Sequence, residues 1–244
     1  MSAPLLGICG IILLEISMHI LVTAGKTRTL MGGDSRVAAS LLQMGIHIAL
    51  ELNAFDHVVT LVTSDSGSMR NNHRIHVIPY RSYDDLARIM EKEVRSGAYD
   101  AVVHAAVVSD YRPSGKVFTL FEDTPTESPD GRLVIKPVVV PGKKLPEGHE
   151  VLYAEMVETD SLIDQIRTAW KFDGYVVKSK FVTGKSDGEL IELSRKSRER
   201  SNANLIIAYD LMREVPIGFV IGSDGRASMI TCDMIPQTIM HKMG

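Results

Sequence analysis

Apolar residues recur along this chain in two alternating rhythms, short runs rich in β-branched residues and longer stretches at helical spacing. His19-Ile-Leu-Val-Thr-Ala24 and Val58-Val-Thr-Leu-Val-Thr63 are nearly unbroken apolar runs, the pattern of strands buried on both faces. Between them, Arg36 to Phe55 places Val37, Leu41, Met44, Ile48 and Leu52 three or four residues apart, which predicts a helix. Ile75 to Ile78 predicts a short third strand, Tyr83 to Ser96 an amphipathic helix, and Tyr99 to Val108 a fourth strand. After an interruption the rhythm resumes. Strands are expected over Val151 to Val157, Tyr175 to Phe181 and Asn204 to Ala208, with helices over Ser161 to Lys171 and Asp187 to Ser201. Ile217 to Ile221 and Ala227 to Thr231, around Ser223-Asp-Gly-Arg226, read as a C-terminal β-hairpin, and a short helix from Pro236 closes the chain. Regular strand–helix alternation predicts an α/β fold, a Rossmann-like, doubly wound, mainly parallel sheet with helices on both faces.

The interruption spans Pro113 to Glu150. It holds six of the chain's ten prolines and the acidic, polar stretch Glu122 to Asp130. A long irregular excursion of this kind predicts a flap or an oligomerisation arm. At the other end, Pro4 to Ile16 is apolar, broken by Gly7, Gly10 and Glu15. It falls short of the ~20 apolar residues that span a bilayer, and it lacks the basic n-region of a secretory signal. Residues 1–17 therefore read as an apolar extension ahead of a domain over 18–244, and no membrane partner is expected.

Composition narrows the classes further. A chain of 244 residues suits one large domain, and 45% apolar with 23% charged residues is ordinary for a globular one. A net charge of −3 supplies no basic field for nucleic acid. Two cysteines, Cys9 and Cys232, exclude a disulfide scaffold and suit a reducing cytoplasm. The eight histidines are scattered, with no metal-ligand spacing, so no protein metal site is expected.

Three places carry candidate chemistry. The loop Thr23-Ala-Gly-Lys-Thr-Arg28, with Gly32 and Gly33, joins a strand to a helix, where backbone N–H groups and Lys26, Arg28 or Arg36 suit a phosphate. It matches neither a Walker A loop nor G-x-G-x-x-G, and a plain connecting loop fits the same residues. The second place is His104-Ala-Ala-Val-Val-Ser-Asp-Tyr-Arg-Pro113, where a buried strand empties into a polar turn holding Ser109, Asp110 and Arg112. Ligands of open α/β sheets bind at strand carboxyl ends, although an aspartate there can equally cap a turn. The third is Lys178-Ser-Lys180, followed by Phe181, Thr183, Gly184 and Lys185. Lysines there can neutralise a polyphosphate, or simply end a strand in solvent. The next helix carries Arg195, Lys196, Arg198 and Arg200, with Glu192 four residues before Lys196, which also reads as a salt-bridged outer face.

Taken together these segments resemble the phosphopantothenoylcysteine synthetase (phosphopantothenate–cysteine ligase) family, in its single-function form. The family opening is similar to Ile20-Leu-Val-Thr-Ala-Gly-Lys-Thr-Arg28, and its central H-A-A-A-V-S-D-Y-R-P is nearly reproduced by His104 to Pro113. Its basic helix and D-L-I-I-A-N-D resemble Arg195-Lys-Ser197 and Asn204-Leu-Ile-Ile-Ala-Tyr-Asp210, and its F-K-L-E-T element lines up with Ser179-Lys-Phe-Val-Thr183. The resemblance implies joining of phosphopantothenate to cysteine through an acyl-nucleotide made from CTP or ATP, with Mg²⁺, in a cytoplasmic homodimer. Carried over by position, Lys180 and Asp110 would be the catalytic residues. Nucleotide contacts would fall at Gly25, Thr27 and Arg28 in the first loop and at His104, Ala105 and Ala106. Lys143 and Lys144 sit where the family's K-I-K-K element ends. Asp160 and Ser161, Ser179, Lys196, and Ala208 with Asp210 beside the base complete the set. The segment from Pro113 to Glu150 would supply the dimer contact and the cover of the site.

Departures stand beside the matches. The family's N-x-S-x-G-x-x-G segment corresponds to Ser35 to Gly45, which lacks the asparagine and keeps Ser40 and Gly45 as candidates. Ser179 replaces the aromatic, Val182 the glutamate and Tyr209 the asparagine of the later motifs. A divergent ligase and a non-ligating paralogue that binds nucleotide or pantothenate derivatives both fit. A nicotinamide-dependent oxidoreductase fits less well, for want of the glycine fingerprint.

Overall fold

Alternation within single strands decides which core each residue enters. In β1 (His19–Ala24), Ile20, Val22 and Ala24 are closed into one core and Leu21 into another. Burial on both sides requires a helical layer over each face. The computed structural model describes residues 17–27, 35–65, 67, 74–119, 126–127, 133–134, 138–139, 153–182, 184–210 and 217–244. The apolar extension, apart from Ser17, thus lies outside the described residues, as does most of the proline-rich excursion.

After β1 the chain runs through α1 (Ser35–Ala54), β2 (Val58–Thr63), β3 (His76–Pro79), α2 (Tyr83–Arg95) and β4 (Ala101–His104). It continues with β5 (Tyr111–Thr119), the two-residue strands β6 (Thr126–Glu127), β7 (Leu133–Val134) and β8 (Val138–Val139), and β9 (Tyr153–Glu158). Then follow α3 (Leu162–Thr168), β10 (Tyr175–Phe181), α4 (Asp187–Ser201), β11 (Leu205–Tyr209), β12 (Ile217–Ile221), β13 (Ala227–Thr231) and α5 (Ile235–Met243). The main sheet is ordered β3-β2-β1-β4-β10-β11-β12-β13, parallel as far as β11 and antiparallel through the hairpin β12–β13. The direction of winding reverses between β1 and β4, the switch point of a doubly wound sheet.

Helices α1 and α5 cover one face, with Ile48, Leu52, Ile235 and Ile239 against Val22, Val103 and Val177. Helices α2 and α3 cover the other, with Leu86, Met90, Leu162 and Ile166 against Leu21, Val102 and Val176. Leu190 of α4 packs on Ala208 and Phe219. Local chemistry fixes the helix starts. The Ser82 hydroxyl accepts from the Asp85 N–H while the Asp85 carboxylate accepts from the Ser82 N–H, and Ser186 and Glu189 repeat this capping box at α4. Gly45 lets α1 cross β1 at contact distance, since a Cβ there would overlap the Ala24 side chain. Gly25 turns the chain out of β1 at φ +94°.

Three expectations are corrected. The fourth strand ends at His104 rather than Val108. Just beyond it the backbone bonds to the end of β1 and the turn that follows. The N–H groups of Ala105 and Val107 donate to the Thr23 and Gly25 carbonyls (3.1 and 2.7 Å), and Thr27 N–H donates to the Val107 carbonyl (3.1 Å). The apolar run therefore outlasts the sheet. Second, the excursion opens within a strand, β5, whose pairing register with β9 shifts between Pro113 and Val117. Third, the strand expected at Val151 to Val157 leaves the main sheet. As β9 it pairs antiparallel with β5, Arg112 opposite Val157, in a second sheet ordered β8-β5-β9. Period-two alternation is the same whichever sheet a strand joins.

Candidate functional site

A cavity of about 850 Å³ opens over the carboxyl ends of β4 and β10, a volume that takes a small-molecule ligand. Its walls are the strand ends at His104 and 178–181, the connection 105–110, residues 158–164, Ser197 and Arg200 of α4, and Tyr209. Sheet register creates its floor. Thr23, His104 and Lys178 are neighbours across β1, β4 and β10, so their side chains share a face. Two residues earlier in the same strands that face holds Leu21, Val102 and Val176. The sheet thus turns from apolar to polar one step before it ends. Lys180 continues the polar column.

The His104 ring is buried, with Nδ1 2.8 Å from the Thr23 Oγ1, which also accepts the Ala106 N–H at 3.2 Å. Burial, reinforced by the Lys178 charge, pushes the His104 pKa down to about 4, so the ring is neutral at neutral pH. The Lys178 side chain is only 8% exposed. Its Nζ donates to Asp164 Oδ1 and to the Ser197 carbonyl, each at 3.2 Å. Burial lowers the Lys178 pKa, and the Asp164 carboxylate works against that shift. The second Asp164 oxygen accepts from Arg200 Nε at 3.0 Å.

The connection from His104 to Pro113 is tied down at several points. Ser109 N–H donates to the buried Thr27 hydroxyl (3.0 Å), the Thr159 hydroxyl to the Ser109 carbonyl, and Thr159 N–H to the Asp110 carbonyl (2.9 Å). The Tyr83 hydroxyl donates to the Asp160 carbonyl at 2.9 Å, and the Arg112 guanidinium lies 5.9 Å from the centre of the Tyr83 ring. The backbone on both sides of Asp110 is therefore fixed, with Asp110 itself on the exposed rim.

Of the residues expected at a site, His104, Ala105, Ala106, Asp110, Asp160, Ser161, Ser179 and Lys180 line this one cavity. Thr27 stands behind it, holding Ser109. Gly25 lies in the β1 turn against Ser64, off the cavity wall. Ala208 is sealed beneath Leu190 and Phe219, and the Asp210 carboxylate accepts the Gly184 N–H at 3.0 Å. Lys196 is on the outer face of α4, 3.5 Å from Glu192. Arg28, Lys143 and Lys144 lie outside the described residues. Lys178, expected with Lys180 as a cation at this strand end, also lines the cavity, and Asp164 is an addition to the expected set. The signal for Lys178 is its i, i+2 spacing from Lys180, which puts both lysines on one face of β10; no sequence pattern pointed to Asp164.

Lys178, Lys180 and Arg200 give the cavity the means to hold anionic groups. Among the described residues no three His, Cys, Asp or Glu side chains converge to hold a metal ion. The rim carboxylates of Asp110, Glu158 and Asp160 fit a Mg²⁺ carried mainly by ligand phosphates, which needs only one or two protein oxygens. The Thr23 hydroxyl that meets His104 is wholly buried and so is no surface nucleophile. Among the described residues no helix is long and apolar enough to cross a membrane.

Residues 16–119 match the family described as DNA/pantothenate metabolism flavoprotein C-terminal domain. The Coenzyme A biosynthesis bifunctional protein CoaBC of Thermococcus kodakarensis is 29% identical over 196 residues, covering 79% of this chain and 41% of that protein's length. A DNA/pantothenate metabolism flavoprotein from Streptococcus pneumoniae shares the fold with a TM-score of 0.72 at 20% identity, over 93% of this chain and 98% of that one. The C-terminal domain of a CoaBC protein aligns with a TM-score of 0.60 at 17% identity, over 92% of this chain and 93% of the other. A Cab2 variant in complex with phosphopantothenate-cysteine aligns with a TM-score of 0.59 at 14% identity, over 92% of this chain and 86% of the other.

Proposed function

We propose that this chain, similar over residues 16–119 to the DNA/pantothenate metabolism flavoprotein C-terminal domain family and over 196 residues to a CoaBC protein, is a phosphopantothenoylcysteine synthetase that joins phosphopantothenate to cysteine. The observation that carries the reading is the placement of His104 to Pro113. Residues 104–110 of the family's central motif line a cavity whose floor and far side carry Lys178, Lys180 and Arg200.

In the first step a carboxylate oxygen of phosphopantothenate attacks the α-phosphorus of CTP or ATP, and the bond to pyrophosphate breaks. In the second, the amine of cysteine attacks the acyl carbon, the bond to the nucleotide breaks, and the amine gives up a proton. Both steps develop negative charge on oxygen, so positioned cations supply most of the catalysis. Lys180, at the mouth of the cavity, is assigned to that task. Neutral His104 offers a hydrogen bond without adding charge. Asp110, on a backbone clamped by Thr159, orients the nucleotide, and Mg²⁺ bound to the phosphates would neutralise their charge. This chemistry needs no side-chain nucleophile. Dimerisation through the second sheet and the proline-rich segment belongs to the same proposal, and sedimentation would test it.

The deciding experiment mixes the chain with phosphopantothenate, cysteine, Mg²⁺ and either nucleotide. The expected result is pyrophosphate release that depends on phosphopantothenate, together with the amide product. Nucleotide binding with no release from either triphosphate would point instead to a non-ligating paralogue. Asp110→Ala and Lys180→Ala should each lower turnover by about a hundredfold while melting like the parent chain. Full turnover in both would refute the assignment of these two residues.

A further inference from the structure

We propose that Lys178 is the residue of this cavity that receives a phosphoryl oxygen of the ligand, and that Asp164 is its positioning residue. The proposal rests on the ligase reading only for which substrate brings the phosphoryl group, the nucleotide or phosphopantothenate.

Packing does not explain this lysine. Val176, two residues earlier on the same face of β10, is what a buried strand position ordinarily holds. An ammonium in that setting loses its hydration, and apolar replacements of buried ion pairs are often neutral or stabilising. A charge kept there at the wall of a cavity has a use beyond folding. Its surroundings indicate which use. Two of the three Nζ donors are taken, by Asp164 and the Ser197 carbonyl. Helix α3 contributes Asp164, α4 contributes Arg200, β10 itself contributes Lys180, and β4 contributes the uncharged His104 ring. One carboxylate thus stands among three cations, Lys178 buried at the floor and Lys180 and Arg200 further out, while Asp110, Glu158 and Asp160 line the same cavity. The excess positive charge is local, in a chain whose net charge is −3. Asp164 holds the arrangement, one oxygen on Lys178 and the other on Arg200, so that neither cation has to find its own position.

The test uses the full chain and isothermal titration with inorganic pyrophosphate, with CTP or ATP, and with phosphopantothenate. Lys178→Met should melt at or above the parent temperature, since Asp164 keeps Arg200, and should lose pyrophosphate affinity by about tenfold or more. Lys178→Arg should retain most of it. Weakening of nucleotide but not phosphopantothenate binding assigns the site to the polyphosphate, and the reverse assigns it to the phosphopantothenate phosphate. Asp164→Asn leaves Lys178 without the carboxylate that opposes its lowered pKa, so pyrophosphate affinity should fall with rising pH from a lower pH than in the parent chain. A folded Lys178→Met that binds every probe as the parent does would overturn the proposal, and an unchanged pH profile in Asp164→Asn would remove the positioning role. The ligase reading fails separately. A chain that binds pyrophosphate through Lys178 yet makes no amide keeps this proposal and loses that reading. Normal turnover in Lys178→Met does the opposite.

Discussion

His104 sits at the end of β4 with its ring closed from water and the Lys178 ammonium on the adjoining strand, and both conditions oppose a second proton. Its folded pKa is about 4 against an ordinary 6.5, so between those values the unfolded chain binds more protons than the native one. Stability is then unaffected above about pH 6.5 and falls as pH drops through the window, by at most about 1.4 kcal/mol per pH unit. His104→Gln retains a hydrogen-bonding group for Thr23 and removes the titration. Denaturant melts should show a shallower loss for this variant than for the parent chain across the window. Equal slopes would mean that His104 takes up its proton without hindrance in the fold. Residues inside the central motif were legible before the fold was known, because the motif names them. Lys178 lies outside that motif, and a lysine near a strand end reads from sequence as solvated. Only the register that sets it beside His104 and the crossing of α4 above it make it buried. Lys196 went the other way. The buried face of α4 carries Leu190, Ser194, Ser197 and Ser201, three of them small and polar, so amphipathicity did not show which side turns inward.

At the level of elements, α1 and β1 approach closely because Gly45 has no side chain to separate them. A methyl group at that position meets Ala24 and the Thr23 backbone, neither of which can rotate away. Gly45→Ala should therefore cost about 1–3 kcal/mol in urea unfolding, despite alanine's better helix propensity. A stabilised variant would show that helix and strand separate at little cost. Ser82→Ala removes half of a capping box and should cost about 1 kcal/mol by the same measurement, with the cavity untouched. Helices and parallel strands were legible because their apolar spacing differs and each must bury a face. The membership of β5 and β9 was not. Alternation records which residues face a core without recording whose core it is, and Pro113 and Gly115 in β5 imitate the composition of a loop.

The main sheet and the β8-β5-β9 sheet meet through short connections, residues 105–110 leading out of the main sheet and 159–161 leading back into α3. Both line the cavity, opposite the end of β10. A ligand seated there touches three pieces of chain distant in sequence, and it stabilises all of them by binding the folded state alone. Backbone bonds already join the first two, Thr159 N–H to the Asp110 carbonyl, while β10 meets them only across the cavity. Saturation with pyrophosphate or nucleotide should therefore slow amide hydrogen exchange in 105–110, 158–164 and 178–182 together. The edge strands β3 and β13, at opposite ends of the main sheet, should exchange at unchanged rates. Protection confined to 178–182 would place the ligand on β10 without the central motif, and the motif would then hold the sheets together without contacting substrate. Protection spread evenly over β3 and β13 as well would report global stabilisation rather than a bridge at this cavity. Concerted slowing of the three segments is the outcome that ties the wall formed by residues 104–110 to the lysines across from it.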